Sequence, residues 1–202
     1  TLQTALSFVT IAIVVILVSE SAAFFEHVSV REFLTGTDIG PMACVAPIQL
    51  TVVTSMFLHG GLVHLGGNML YLWIFGDNVE DRLGSLRYLV FYLAGGVVAA
   101  VADVVVQPSS TVPVVGASGA IAAVMGAYLV WYPNAPVRVL ALFVVPVTLR
   151  AKWFLGLWFV LQFFTGADSG VAWVAHVGGF VFGLLVALRI PKDKSVDLVL
   201  RP

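Results

Sequence analysis

The chain has 202 residues, of which 60% are hydrophobic and only 10% charged, with a net charge of −1 and a mean hydropathy of +1.03; an average soluble domain carries about 25% charged residues. This composition calls for a membrane and excludes a bulk electrostatic case for nucleic acid or an acidic substrate. The single cysteine, Cys44, excludes an internal disulfide, so the loops must hold by packing.

Six apolar stretches are candidates to cross the roughly 30 Å hydrocarbon core as helices, some only with their flanks: 4–25, 62–75, 86–106, 118–132, 151–164 and 171–188. The first lacks the basic n-region and the cleavage site before Glu20 that would mark a secretory signal, so it reads as a mature span. The chain opens on Thr1 rather than Met, as a trimmed chain would. The connection 26–60 mixes charges with Val30, Phe33, Leu34, Ile39, Met42 and Val45, which suits a segment lying along the outer interface.

The second span carries His64 and Asn68 near its start. Asp77, Asn78, Glu80, Asp81 and Arg82 follow it and are expected at a turn that caps and pins the second and third spans. Asp103, near the far end of the third span, is the only carboxylate in the second to sixth spans. Ala99 and Val106 on its stripe do not direct it at a histidine, so it reads as an interfacial or cavity residue.

The fourth span is short. Its 118–132 stretch rises 1.5 Å per residue to about 22 Å, roughly 8 Å less than the hydrocarbon thickness. The preceding 107–117 holds Pro108, Pro113 and Gly116 and is a poor helix. Non-helical backbone is therefore expected to dip into the membrane, which is tolerated only beside protein or water. A water-filled pocket open to the outside is the economical inference. Pro133, Pro136, Pro146 and Pro191 follow or separate spans, where they stop helices. No linker, repeat or charge run divides the chain, so one all-α domain, 1–202, is expected.

Six spans place both termini and the second and fourth connections on one side. That side holds Arg82, Arg87, Arg138, Arg150, Lys152, Arg189, Lys192, Lys194 and Arg201, and of the 10 basic residues only Arg31 lies opposite. The positive-inside rule then sets both termini in the cytoplasm.

In this topology His64, Asn68, Ser118 and His176 all fall in the outer half of their spans. Polar groups at one depth in a membrane mark function. Ser118, Ala122 and Gly126 share one face, as do His176, Gly179 and Gly183, and small residues let membrane helices approach closely. A Ser hydroxyl against a His imidazole is a nucleophile with its base. The first N–H groups of a helix starting at Ser118 face a developing oxyanion, and His64 and Asn68 add side-chain donors. Taken singly, each feature has a plainer use: a Gly-x-Ser-Gly packs helices, a lone His donates a hydrogen bond, and the His64–Asn68 pair bridges helices. Two other functions also fit the residues. One is a non-catalytic binder of transmembrane helices in the same groove, against which the intact Ser118 and His176 weigh. The other is a small proton-coupled transporter using His64, His176 and Asp103. A metal site from His59, His64 and His176 is weaker, because no Cys or carboxylate stands beside them at ligand spacing.

Three segments together resemble the rhomboid family of intramembrane serine proteases. They are FLHGGLVHLGGNMLYLWIFGDNVEDRLG (57–84), with His64 and Asn68 as the HxxxN motif, GASG (116–119) as GxSG, and AHVGGFVFG (175–183) as AHxxGxxxG. The resemblance implies a six-helix bundle with Ser118 as nucleophile and His176 as base. It implies an oxyanion site from His64, Asn68 and the Ser118 N–H, and no metal or cofactor. It also implies cleavage of single-span membrane proteins through an acyl-enzyme near the outer face, commonly after a small residue, with the fifth span and the 165–170 cap as a lateral route for the substrate. A multi-pass protein of a prokaryotic cytoplasmic membrane is the expected setting. Two departures stand out. Some members carry an aromatic residue one turn after the Ser, packed on the His, where this chain has Ala122. The Trp-Arg pair often found in the first outer loop is absent, since the first Trp is Trp73.

Overall fold

The structure, a computed structural model, describes residues 52–108, 114–141, 145–165 and 172–191. The expected first span 4–25, most of the 26–60 connection with Cys44, and the 166–170 part of the cap lie outside the described residues. A 3₁₀ turn, Ser55–Phe57, leads into α1 (Leu62–Leu83) and α2 (Ser85–Val106); α3 (Ser118–Trp131), a ribbon of β1 (Pro136–Ala141) and β2 (Val145–Arg150), α4 (Ala151–Gln162) and α5 (Trp173–Arg189) follow.

The sequence of α3, SGAIAAVMGAYLVW, has no polar face, and none is needed. Gly119 through Tyr128 are all buried, because α3 packs against α1, α2, α4 and α5. The helix is 14 residues long, about 21 Å at 1.5 Å per residue, as short as the sequence requires.

Helix α2 is built the other way round from a soluble helix. Its buried face is Phe91, Tyr92, Gly95, Gly96, Ala99, Ala100 and Asp103, whereas Leu86, Val90, Val101 and Val105 are exposed. Small residues inside and branched apolar residues outside suit lipid, where close backbone approach rather than water exclusion drives association. With 22 residues, α2 is long and apolar enough to cross a bilayer.

The most extensive helix pair is α3 with α5. A Cβ built on Gly179 would overlap the Gly119 carbonyl oxygen, one on Gly183 the Ala123 carbonyl, and one on Gly126 the Phe180 carbonyl. The α5 stripe is the expected one. On α3 the touching residues are Gly119, Ala122, Ala123 and Gly126, so the seam takes in Ala122 and Gly126 of the expected face together with the Gly119–Ala123 line beside it. Helix α2 closes the same junction: a Cβ on Gly119 would lie 2.6 Å from Ala99 Cβ, and one on Gly178 would lie 2.5 Å from Ala102 Cβ.

Two expectations need correction. The all-α reading fails at 136–141 and 145–150, which pair antiparallel in register from Pro136↔Arg150 to Ala141↔Val145. Alternation explains it: Val137 is buried and Arg138 exposed, a period-2 pattern in a β-branched run. Pro146 is tolerated because both strands of a two-stranded ribbon are edges. The Ala151 N–H donates to Ala135 O at 2.9 Å and the Lys152 N–H to Pro133 O at 2.9 Å, fixing the base of the ribbon to α4. The second correction concerns 77–82, which is not a turn but the last part of α1, ending only at Gly84 with φ 76°. The Asn78 amide donates to Tyr128 Oη at 3.4 Å, Tyr132 Oη donates to Asn78 O at 3.0 Å, and Arg82 Nη2 donates to Pro191 O at 2.6 Å. The Arg82 guanidinium also lies 4.8 Å from the centre of the Trp131 ring. This charged end ties α1 to α3 and to Pro191, two residues past α5, at the end of the bundle opposite Ser118.

Candidate active site

Ser118 is the first residue of α3. The chain reaches it through Gly116, whose φ of 110° favours glycine and whose N–H donates to Ser55 O at 2.9 Å. The Gly116 N–H of the non-helical approach is thus met by protein. The Ile121 N–H, donating to Ala117 O at 2.9 Å, opens the helical ladder; the N–H groups of Ser118, Gly119 and Ala120 lie ahead of it.

His176 stands in the first turn of α5, three residues before the Gly179 contact. Its Nε2 lies 2.7 Å from Ser118 Oγ. Its Nδ1 lies 2.7 Å from Gln162 Oε1, the acceptor. The Gln162 amide nitrogen donates to Trp158 O at 3.0 Å, and the Trp158 ring is tilted beside His176 with centroids 5.8 Å apart. Neither α4 residue was singled out from the sequence. The available signal was small: Gln162 is the only amide in 151–164, and a polar side chain inside a span asks for a partner.

His64 and Asn68 stand one turn apart on α1 and face the loop that enters α3. A Cβ on Gly116 would lie 2.8 Å from His64 Nε2 and 3.7 Å from Asn68 Nδ2. The Gly60 N–H donates to His64 Nδ1 at 3.3 Å, which leaves Nε2 to carry the proton on the Gly116 side. The His59 ring meets His64 edge-on at 5.2 Å, and its Nδ1–H donates to Phe57 O at 3.1 Å. Burial first, and then His64, hold the His59 imidazole below its ordinary value, so the donor to Phe57 is a neutral ring. Asn68 is buried, and its Nδ2 has no hydrogen-bond partner among the described residues.

All four expected residues line one cavity of about 970 Å³, together with Asp103 and Trp158. Asp103 is 4% exposed and accepts a hydrogen bond from Gln107 Nε2 at 3.2 Å; of its two expected settings, cavity and interface, it has the first. The structure therefore brings together a hydroxyl, a ring nitrogen within hydrogen-bond distance, a helix N-terminus and two further N–H donors around one cavity.

A family model described as Rhomboid domain matches residues 49–192. The chain is 34% identical over 143 residues to Rhomboid protease GluP of Bacillus subtilis, covering 70% of this chain and 26% of that protein. It is 31% identical over 144 residues to Presenilin-associated rhomboid-like protein A, mitochondrial, of Danio rerio, covering 67% of this chain and 36% of the relative. It is also 31% identical over 135 residues to Rhomboid protease GlpG of Yersinia pestis, covering 67% and 46%. The chain thus spans between about a quarter and a half of the length of these relatives. The match runs from ahead of the 3₁₀ turn to just past α5 and takes in every residue of the cavity described above, so this chain belongs to the rhomboid family, whose members are integral membrane proteins.

Proposed function

We propose that the chain is an intramembrane serine endopeptidase that cuts transmembrane-helix substrates through a Ser118–His176 dyad. The observation that carries this reading is the 2.7 Å contact between His176 Nε2 and Ser118 Oγ on two helices whose backbones touch. A hydroxyl is a weak nucleophile until a base takes its proton. In the proposed reaction Ser118 Oγ adds to the scissile carbonyl while His176 accepts its proton and then gives it to the leaving amine; an acyl-enzyme remains, and water from the cavity releases it. The negative oxygen of each tetrahedral state is met by the Ser118 N–H, His64 Nε2–H and Asn68 Nδ2–H, donors already in place before reaction. The orphaned Asn68 amide fits this use: leaving a buried donor unmet costs about 1–3 kcal/mol, and a ligand oxygen would meet it.

In this proposal one unit, 1–202, spans the membrane six times with both termini in the cytoplasm. The cavity opens toward the outer face of a prokaryotic cytoplasmic membrane. Single-span proteins approach through the bilayer, pass beside α4 and unwind into the cavity, and neither metal nor cofactor takes part.

Labelling with a fluorophosphonate probe in detergent tests the reading. Wild type should react and Ser118→Ala should not. Equal labelling of both, or of neither, would turn the cavity into a binding groove.

A further inference from the structure

Three polar side chains are buried among the described residues: Asn68, Asp103 and Gln162. Asn68 belongs to the proposed oxyanion site and Asp103 to the cavity wall. Gln162 is 8% exposed, lies outside every motif quoted above, and spends both ends of its amide. The oxygen accepts from His176 Nδ1 at 2.7 Å, and the nitrogen donates to Trp158 O at 3.0 Å.

These two bonds fix a protonation state. The Trp158 carbonyl only accepts, so the nitrogen end of the Gln162 amide must face it and the oxygen end must face the imidazole. An amide oxygen only accepts, so His176 Nδ1 must carry the ring proton. In a neutral imidazole the other nitrogen, Nε2, then keeps its lone pair, and Nε2 is the atom 2.7 Å from Ser118 Oγ. The opposite tautomer would set an oxygen lone pair against the bare Nδ1 and aim an N–H at the serine. The Trp158 ring beside His176 comes from the residue whose carbonyl anchors the amide, so one turn of α4 holds both the plane and the proton of the base.

We propose that Gln162 is a positioning residue that selects the Nδ1–H tautomer of His176, doing with a neutral amide what the carboxylate does in a Ser-His-Asp triad. This rests on the dyad reading above. It also supplies the ring support that Ala122 cannot, from α4 instead of from the turn after the serine. A neutral partner suits the site, because a buried carboxylate costs far more to desolvate than an amide.

Two measurements on ¹⁵N-histidine-labelled protein in detergent, with His176 assigned by His176→Asn, test this. Above the pH of imidazole protonation, wild-type His176 should give the signature of Nδ1–H, and Gln162→Leu should move it toward Nε2–H. On a membrane-embedded reporter, Gln162→Leu should lower kcat about 10- to 100-fold and leave KM within about twofold, as expected when a base loses its orientation but the groove does not change. Gln162→Glu, which keeps an acceptor oxygen, should retain more activity than Gln162→Leu. A wild-type His176 that is protonated on Nε2, or a Gln162→Leu protein with wild-type kcat, would overturn the proposal. The tautomer is read without turnover, so if wild type cuts nothing the protease reading falls while the spectrum still decides the role of Gln162.

Discussion

Gly179 meets Gly119 backbone to backbone, with no room for a Cβ between them. Ser118 precedes Gly119, and His176 lies three residues before Gly179 on the same helix, so the contact of two residues without side chains sets the spacing of the proposed nucleophile and base.

Gly179→Ala should therefore harm both fold and site. The new methyl meets backbone rather than a flexible side chain, and forcing extra atoms into a packed core costs about 1–3 kcal/mol. Melting in detergent should fall and fluorophosphonate labelling should drop sharply. Gly156→Ala on α4, where a Cβ meets nothing within 4 Å, is the control and should leave both unchanged.

Asn68→Ala separates a donor to the transition state from a bridge between helices. Losing one oxyanion donor typically costs about 10²- to 10³-fold in turnover. Because Asn68 Nδ2 has no partner among the described residues, its removal breaks no bond from that atom and should leave melting near wild type. Normal specific activity in a destabilised protein would favour the bridge.

Much of this site was legible because its signals are local. Ser118 starts α3 and Leu62 starts α1 as read, since a proline- and glycine-containing approach and a Gly-Gly step each break the chain just before. The small-residue faces were visible, though the share of Gly119 and Ala123 in the seam was not, because it depends on how α2 and α5 wedge together at Ala99 and Gly178. Gln162 went unread because its meaning is entirely tertiary: its partner is 14 residues away in another helix. The ribbon went unread because 133–150 reads only as a connection between spans, and the alternation of Val137 with Arg138 is too short a signal to mark a strand by itself. The 77–82 acids looked like a turn, yet α1 continues because Asn78 and Arg82 find partners on Tyr128 and at Pro191.

Cys44 tests the topology. The proposed topology, drawn from the bias of basic residues, puts it in an outer connection, so once detergent exposure of the thiol is established, a membrane-impermeant thiol reagent should label it in intact cells. Protection there, with labelling only in inverted vesicles, would reverse the orientation and move the cavity to the cytoplasmic side.

Cleavage should also depend on pH in one direction. The proposed base, His176, can take a proton only while neutral, so acidification far enough to protonate it would remove the acceptor for the Ser118 proton. The acid-side loss should appear in kcat and be reversible on neutralisation. A rate indifferent to acid until the protein unfolds would count against an imidazole base.

The most direct test of the central claim is cleavage of a membrane-spanning reporter in proteoliposomes by wild type, Ser118→Ala, His176→Ala and the double variant. The account predicts that wild type cuts, that each single change abolishes cutting, and that the double is no worse than either, because residues acting as one unit are not additive. Substantial cleavage by His176→Ala, at a pH where wild type is active, would contradict it.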